Sequence, residues 1–206
     1  NHIRLALIRI LSPLLGGPPR TDIVAQVKLA IRNKMKPSRV LRLEWVYEPT
    51  GDPNLHMQIK IEVNVTERGA FFPLLRVPFM PPLPEGVQET EVVTYDVSET
   101  LGTKLRALYQ RDHGRDLFDI DYALTHGRTD ESPHKVDPPR VIAAFQHYLA
   151  QEGTTVSRED FERSLRRKVG LARFRADLTD VLAPGVVHDI EAAEERVCRD
   201  LLSHLP

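Results

Sequence analysis

Between Ile59 and Val65 apolar residues alternate with polar ones, whereas from Ser98 onward they recur every three or four positions. The first period places alternate side chains on opposite faces of a strand, and the second gathers them on one side of a helix. Ahead of the alternating run, "RVLRLEWVYE" is rich in β-forming residues and is followed by the turn signal "PTGDPN". Together with "LHMQIKIEVNVTER" it predicts an antiparallel hairpin. Lys60, Glu62, Asn64 and Thr66 share one face of its second strand, a candidate wall of a site. A further short strand is expected at "TEVVTY", after a proline-bearing connection, "VPFMPPLPEG", expected to be extended and mostly unpaired.

Helices are predicted over residues 98–111, 115–126, 138–151, 157–168, 171–182 and 186–204, with an earlier one over "DIVAQVKLAIRNKM" behind Thr21 as N-cap. The polar linker "GRTDESPHKVDPP" separates a mixed part, residues 1–127, from a helical part, residues 137–206. There is no internal repeat. The expected class is α+β with a C-terminal helical region.

One position breaks the helical pattern. Leu101, Leu105 and Leu108 form an apolar stripe at i, i+4, i+7, and Lys104 lies on it. An ammonium group there either reaches past the stripe to solvent or meets an anion. Asp112, Asp116, Asp119 and Asp121 follow within one short segment, and Asp116 and Asp119 share a helix face. Arg115 is placed to pair with Asp119 at i, i+4; the other acids can be solvated. A turn at His113 and Gly114 would let Lys104 and the acids face each other. That combination suits a triphosphate, with the ammonium balancing phosphate and the carboxylates holding Mg²⁺ or hydroxyls.

The 206 residues carry 28 basic and 29 acidic side chains, so net charge predicts no nucleic-acid partner and any such partner needs a local patch. The densest basic cluster is Arg163, Arg166, Arg167, Lys168, Arg173 and Arg175, the candidate RNA-binding face; a solvated helix face gives the same pattern. No apolar run approaches the roughly 20 residues of a membrane span. The single cysteine, Cys198, excludes an intrachain disulfide or thiolate cluster and fits a cytoplasmic protein. Scattered histidines without metal-binding spacing, and the absence of a Walker loop or nucleophile elbow, set aside zinc enzymes, P-loop enzymes and serine hydrolases.

"IKIEVNVTER" at 59–68, "VTYDVSETLGTKLRALYQR" at 93–111 and "GRDLFDID" at 114–121 resemble, in order and separation, the AbiEii/AbiGii toxin family of nucleotidyltransferases. The resemblance covers about residues 38–126. It implies a DNA-polymerase-β-like nucleotidyltransferase core, acting as the toxin of a bacterial toxin–antitoxin pair with a role in phage defence. It also implies a cognate antitoxin as partner, Mg²⁺ and a nucleoside triphosphate. Some relatives add nucleotides to the 3′ end of tRNA. Position by position, Lys104 matches the lysine that contacts the triphosphate, and Asp119, or else Asp116, the catalytic aspartate, with Arg115 beside it. Glu62 matches an acidic strand position, a metal ligand together with Asp119, and Lys60 is a nucleotide-binding candidate. The family's first motif, a glycine-serine turn before two aspartates one residue apart, has no counterpart here. "GGPPRTDIVAQV" offers Asp22 alone, with Val24 where the second acid is wanted. The expectations are therefore an enzyme whose N-terminal motif lies upstream, or a degenerate relative that binds nucleotide, RNA or protein without catalysis.

Overall fold

The computed structural model describes residues 9–10, 40–47, 57–64, 69–80, 90–127, 135–179, 182 and 186–206. The helix expected over residues 22–35, Asp22, and most of the linker at 127–139 lie outside them. Contacts divide the chain into two units, residues 1–69 and residues 70–206.

The first unit contains the hairpin. Strands β1 (Val40–Tyr47) and β2 (Met57–Asn64) pair antiparallel. Register opposes Leu41 to Val63, Leu43 to Ile61 and Trp45 to Ile59, and it opposes Arg42 to Glu62 and Glu44 to Lys60. At these positions apolar residues stand opposite apolar ones and acids opposite bases, as cross-strand pairing favours, whereas Val40 stands opposite Asn64 and Val46 opposite Gln58.

The second unit begins with another hairpin, β3 (Leu75–Phe79) and β4 (Thr90–Thr94). Residues 77–79 therefore belong to a strand rather than to the unpaired connection expected from the prolines. Pro78 stands opposite Glu91 in register. Each strand of a two-stranded sheet has a free edge, so a residue without an N–H is tolerated there.

The helices follow: α1 (Val97–Gln110), α2 (Gly114–His126), α3 (Pro138–Gln151), α4 (Arg158–Val169), the short α5 (Ala172–Ala176) and α6 (Ile190–Asp200), then a 3₁₀ turn over Leu202–His204. Polar side chains cap four of them, as free N–H groups at helix starts require. Asp96 accepts from Ser98 N, Asp137 from Arg140 N and Asp189 from Ala192 N; Ser157 and Asp160 form a reciprocal capping pair. Two helices are shorter than their apolar patterns. α5 stops at Ala176, where the Asp177 carboxylate turns to the His113 ring and to Arg115 N, and α6 starts only where Asp189 caps it.

Leu101, Leu105 and Leu108 of α1 join one core with Leu117, Ile120 and Leu124 of α2, Val141 and Phe145 of α3, Phe161 and Leu165 of α4, and Val197 of α6. Helices on both sides of the linker share this core. α1 crosses α3 at Gly102, where an added Cβ would lie 2.6 Å from Ala144 Cβ and 2.8 Å from Val141 O. The α1–α2 turn is equally tight: a Cβ on Gly114 would sit 2.1 Å from Phe174 O. Gly102 thus permits the close crossing of α1 and α3, and Gly114 the close approach of the α2 start to Phe174 of α5.

Candidate active site

Lys104 stands at the margin of the α1 stripe, 35% exposed at its side chain, and turns toward α2. Its Nζ lies 2.5 Å from Asp119 Oδ2 and 3.7 Å from Asp116 Oδ1. The two carboxylates have different surroundings. Asp116 has no exposed surface, and Arg111 grips it bidentately, Nε donating to Oδ2 at 2.6 Å and Nη2 to Oδ1 at 2.8 Å. Such a fork holds an otherwise costly buried charge in one orientation. The same bond raises the Arg111 pKa further above its ordinary value, against the effect of burial. Asp119 is 42% exposed, and Lys104 is its ion-pair partner. The site is thus a solvent-facing lysine–aspartate pair backed by a buried aspartate–arginine pair.

Both ends of α1 and the start of α2 are held from outside. Asp177 receives the Arg115 N–H at 3.2 Å and lies 3.1 Å from His113 Nδ1, closing the α2 N-terminus. At the C-terminal end of α1, Lys168 of α4 donates to the carbonyls of Leu108, Tyr109 (2.7 Å) and Arg111 (2.9 Å). Burial pushes the Lys168 ammonium down to about 8, with Asp112 3.9 Å away opposing the shift. Near the start of α1, buried Glu99 accepts from Phe71 N at 2.7 Å, Phe72 N at 2.9 Å and Tyr148 Oη at 2.5 Å. One carboxylate thereby ties residues 71–72 to α1 and α3. Glu99 carries no local sequence signal, since its partners lie 27 residues or more away.

The family model described as "Nucleotidyl transferase AbiEii toxin, Type IV TA system" matches residues 1–196. The chain belongs to the AbiEii toxin family. That family comprises nucleotidyltransferase toxins of type IV toxin–antitoxin systems, so membership implies an antitoxin partner. Searches of curated proteins and of solved structures return no match.

In this AbiEii-family chain the structure brings together Lys104, Asp116 and Asp119, while Arg115 is exposed on the same helix as the acids. Arg115 does not pair with Asp119, whose partner is Lys104; among the described residues its guanidinium has no ion pair. Lys60 and Glu62 lie on β2 in the other unit. Among the described residues no three histidine, cysteine or carboxylate side chains group as a metal site. Asp116 is committed to Arg111, so Asp119 is the carboxylate of this pair with room for an ion. A single carboxylate fits Mg²⁺ only where phosphate oxygens and water complete the octahedron.

The basic cluster is rearranged relative to its reading as one face. Lys168, 2% exposed and engaged with three carbonyls, is withdrawn from any RNA-binding surface. Arg163, Arg166, Arg167, Arg173 and Arg175 are exposed, and each has an acid nearby. Arg163 bonds Glu159 and Asp160, Arg166 approaches Glu194, Arg175 bonds Glu191, and Arg167 and Arg173 share Asp112. The Arg173 bond holds the Asp112 carboxyl below its ordinary range. Burial raises the Cys198 thiol to about 11, which suits a packing role rather than a nucleophile. No helix among the described residues is long and apolar enough to cross a membrane.

Proposed function

We propose that this AbiEii-family protein transfers a nucleotide from a nucleoside triphosphate to an RNA acceptor, tRNA being the first candidate, on a DNA-polymerase-β-like core. The observation that carries this reading is the exposed Lys104–Asp119 pair at 2.5 Å, fixed from behind by Asp116 and Arg111. Lys104 has three donors; one meets Asp119, and the others are free to meet triphosphate oxygens as these enter. A bound Mg²⁺ would neutralise developing charge on the leaving pyrophosphate. Asp119 is the residue we assign to hold it, with phosphate oxygens and water; Asp116 orients Lys104 and Arg111 from the buried side. Arg115, one turn from Asp119, adds a cation for phosphate. The roles of Lys60 and Glu62 as nucleotide and metal contacts rest on the family resemblance. We assign RNA-backbone contacts to Arg163, Arg166, Arg167, Arg173 and Arg175, and the setting to the cytoplasm, in phage defence.

The test is incubation with Mg²⁺, each labelled nucleoside triphosphate in turn and total tRNA. Label transferred by the parent and lost in Lys104→Ala and Asp119→Ala is the expected result. Transfer that persists in both variants would remove these residues from the mechanism. Lys104-dependent binding without transfer would make the chain a nucleotide-binding relative.

A further inference from the structure

The solvent face of α2 continues past Asp119. Arg115, Asp119, Tyr122 and His126 stand at i, i+4, i+7 and i+11, so they form one stripe along the helix. Tyr122 is 54% exposed, a high value for an aromatic ring on a helix whose other side builds the core. The His126 ring lies parallel to it, with centroids 4.0 Å apart and an interplanar angle of 20°. His126 Nδ1 lies 2.9 Å from Tyr122 O, and Phe118 adds a tilted ring 6.0 Å from Tyr122 on the preceding turn. The rings are therefore held in place before any ligand arrives. Tyr122 lies about 4.5 Å along the axis from Asp119 and about 10 Å from Arg115, at 1.5 Å per residue.

We propose that Tyr122, with His126, is a stacking platform for a nucleobase whose phosphates lie at Lys104 and Arg115. This rests on the proposed triphosphate site and adds the base-recognition half of it. Along the stripe the cation Arg115 and the Mg²⁺-holding carboxylate Asp119 come first and the aromatic pair last, as the phosphates precede the base in a nucleotide. Stacking on an aromatic ring is tolerant of base identity because every base has a π-face. The base can come from the incoming nucleoside triphosphate or from the end of the RNA acceptor.

Two probes with bases and one without separate these cases. Affinities of the full chain for nucleoside triphosphates, for a short single-stranded RNA and for inorganic triphosphate are measured for the parent, Tyr122→Ala, Tyr122→Phe and Lys104→Ala. Tyr122→Ala is expected to weaken one base-bearing probe about tenfold, the typical worth of one stacked base, while Tyr122→Phe retains binding. A loss confined to the nucleoside triphosphates assigns the incoming nucleotide; a loss confined to RNA assigns the acceptor. Inorganic triphosphate binding is expected to be unchanged by Tyr122→Ala and lost in Lys104→Ala. Tyr122→Ala leaving both base-bearing probes unchanged, or weakening inorganic triphosphate equally, would overturn the platform. Inorganic triphosphate indifferent to Lys104→Ala would instead overturn the phosphate site on which it rests.

Discussion

At the scale of single residues, the two aspartates beside Lys104 divide the labour. Asp116 is buried and doubly bonded to Arg111, whereas Asp119 is half-exposed and faces Lys104. Asp116→Asn leaves a guanidinium without its charge partner and should destabilise the fold by about 2–3 kcal/mol. Asp119→Asn should stay within about 0.5 kcal/mol of the parent, as exposed ion pairs contribute little. Denaturant midpoints check both, and equal losses would contradict the division. Lys104 was legible because a charged residue on an apolar stripe is a local anomaly, and the acids one turn later supplied a reason for it. Which aspartate would be buried was not legible, because Arg111 falls outside the i, i+4 pairs that sequence spacing suggests. Glu99 was invisible for a related cause: its partners, Phe71, Phe72 and Tyr148, are brought to it by tertiary folding.

At the scale of elements, apolar periodicity located α1 to α4 closely, because each buries a single stripe in the shared core. It failed where polar contacts ended a helix early, as at Asp177 after α5, and where a proline lay in a free-edged strand, as at Pro78. Close packing at two glycines gives a test of the α1–α3 crossing and of the approach of α2 to α5. Gly114→Ala pushes a methyl into the Phe174 carbonyl and should cost about 3 kcal/mol or more, since backbone must move. Gly102→Ala meets a similar clash but gains about 1 kcal/mol of helix propensity, so its loss should be smaller. Thermal melting of the two variants measures the order, and a stabilised Gly114→Ala would refute the close approach. Lys168 caps α1 from another helix, and its removal tests the cap. Lys168→Met keeps the apolar stem but leaves three carbonyls without their donor, so it should destabilise the fold by about 2–4 kcal/mol.

At the scale of the whole molecule, the family match runs across both units, residues 1–196, while the described helices from α1 onward form one core on both sides of the linker. The linker's polar composition suggested a boundary there, but composition does not report which helices pack together. Global stability should carry the signature of Lys168. Its folded value of about 8 lies below the ordinary 10.5, so between these pH values the unfolded chain holds the proton more often. Burial therefore penalises the ammonium fully below about pH 8 and not above about pH 10.5, so the net Lys168 contribution grows as pH rises across that window. Stability of the parent minus that of Lys168→Met should therefore rise from pH 8 to pH 10; a flat difference would contradict it. RNA affinity, if carried by the exposed arginines, should fall steeply with salt, and substituting Arg167 and Arg173 should make that slope shallower.

If Lys104 is turned toward α2 to receive phosphate, equilibrium binding of a nucleoside triphosphate must differ between the parent and Lys104→Ala. Affinity at least tenfold weaker in the variant is expected, with an unchanged melting temperature, because the side chain is partly exposed and outside the core. Equal affinity in the two proteins would show that the ammonium serves only its ion pair with Asp119.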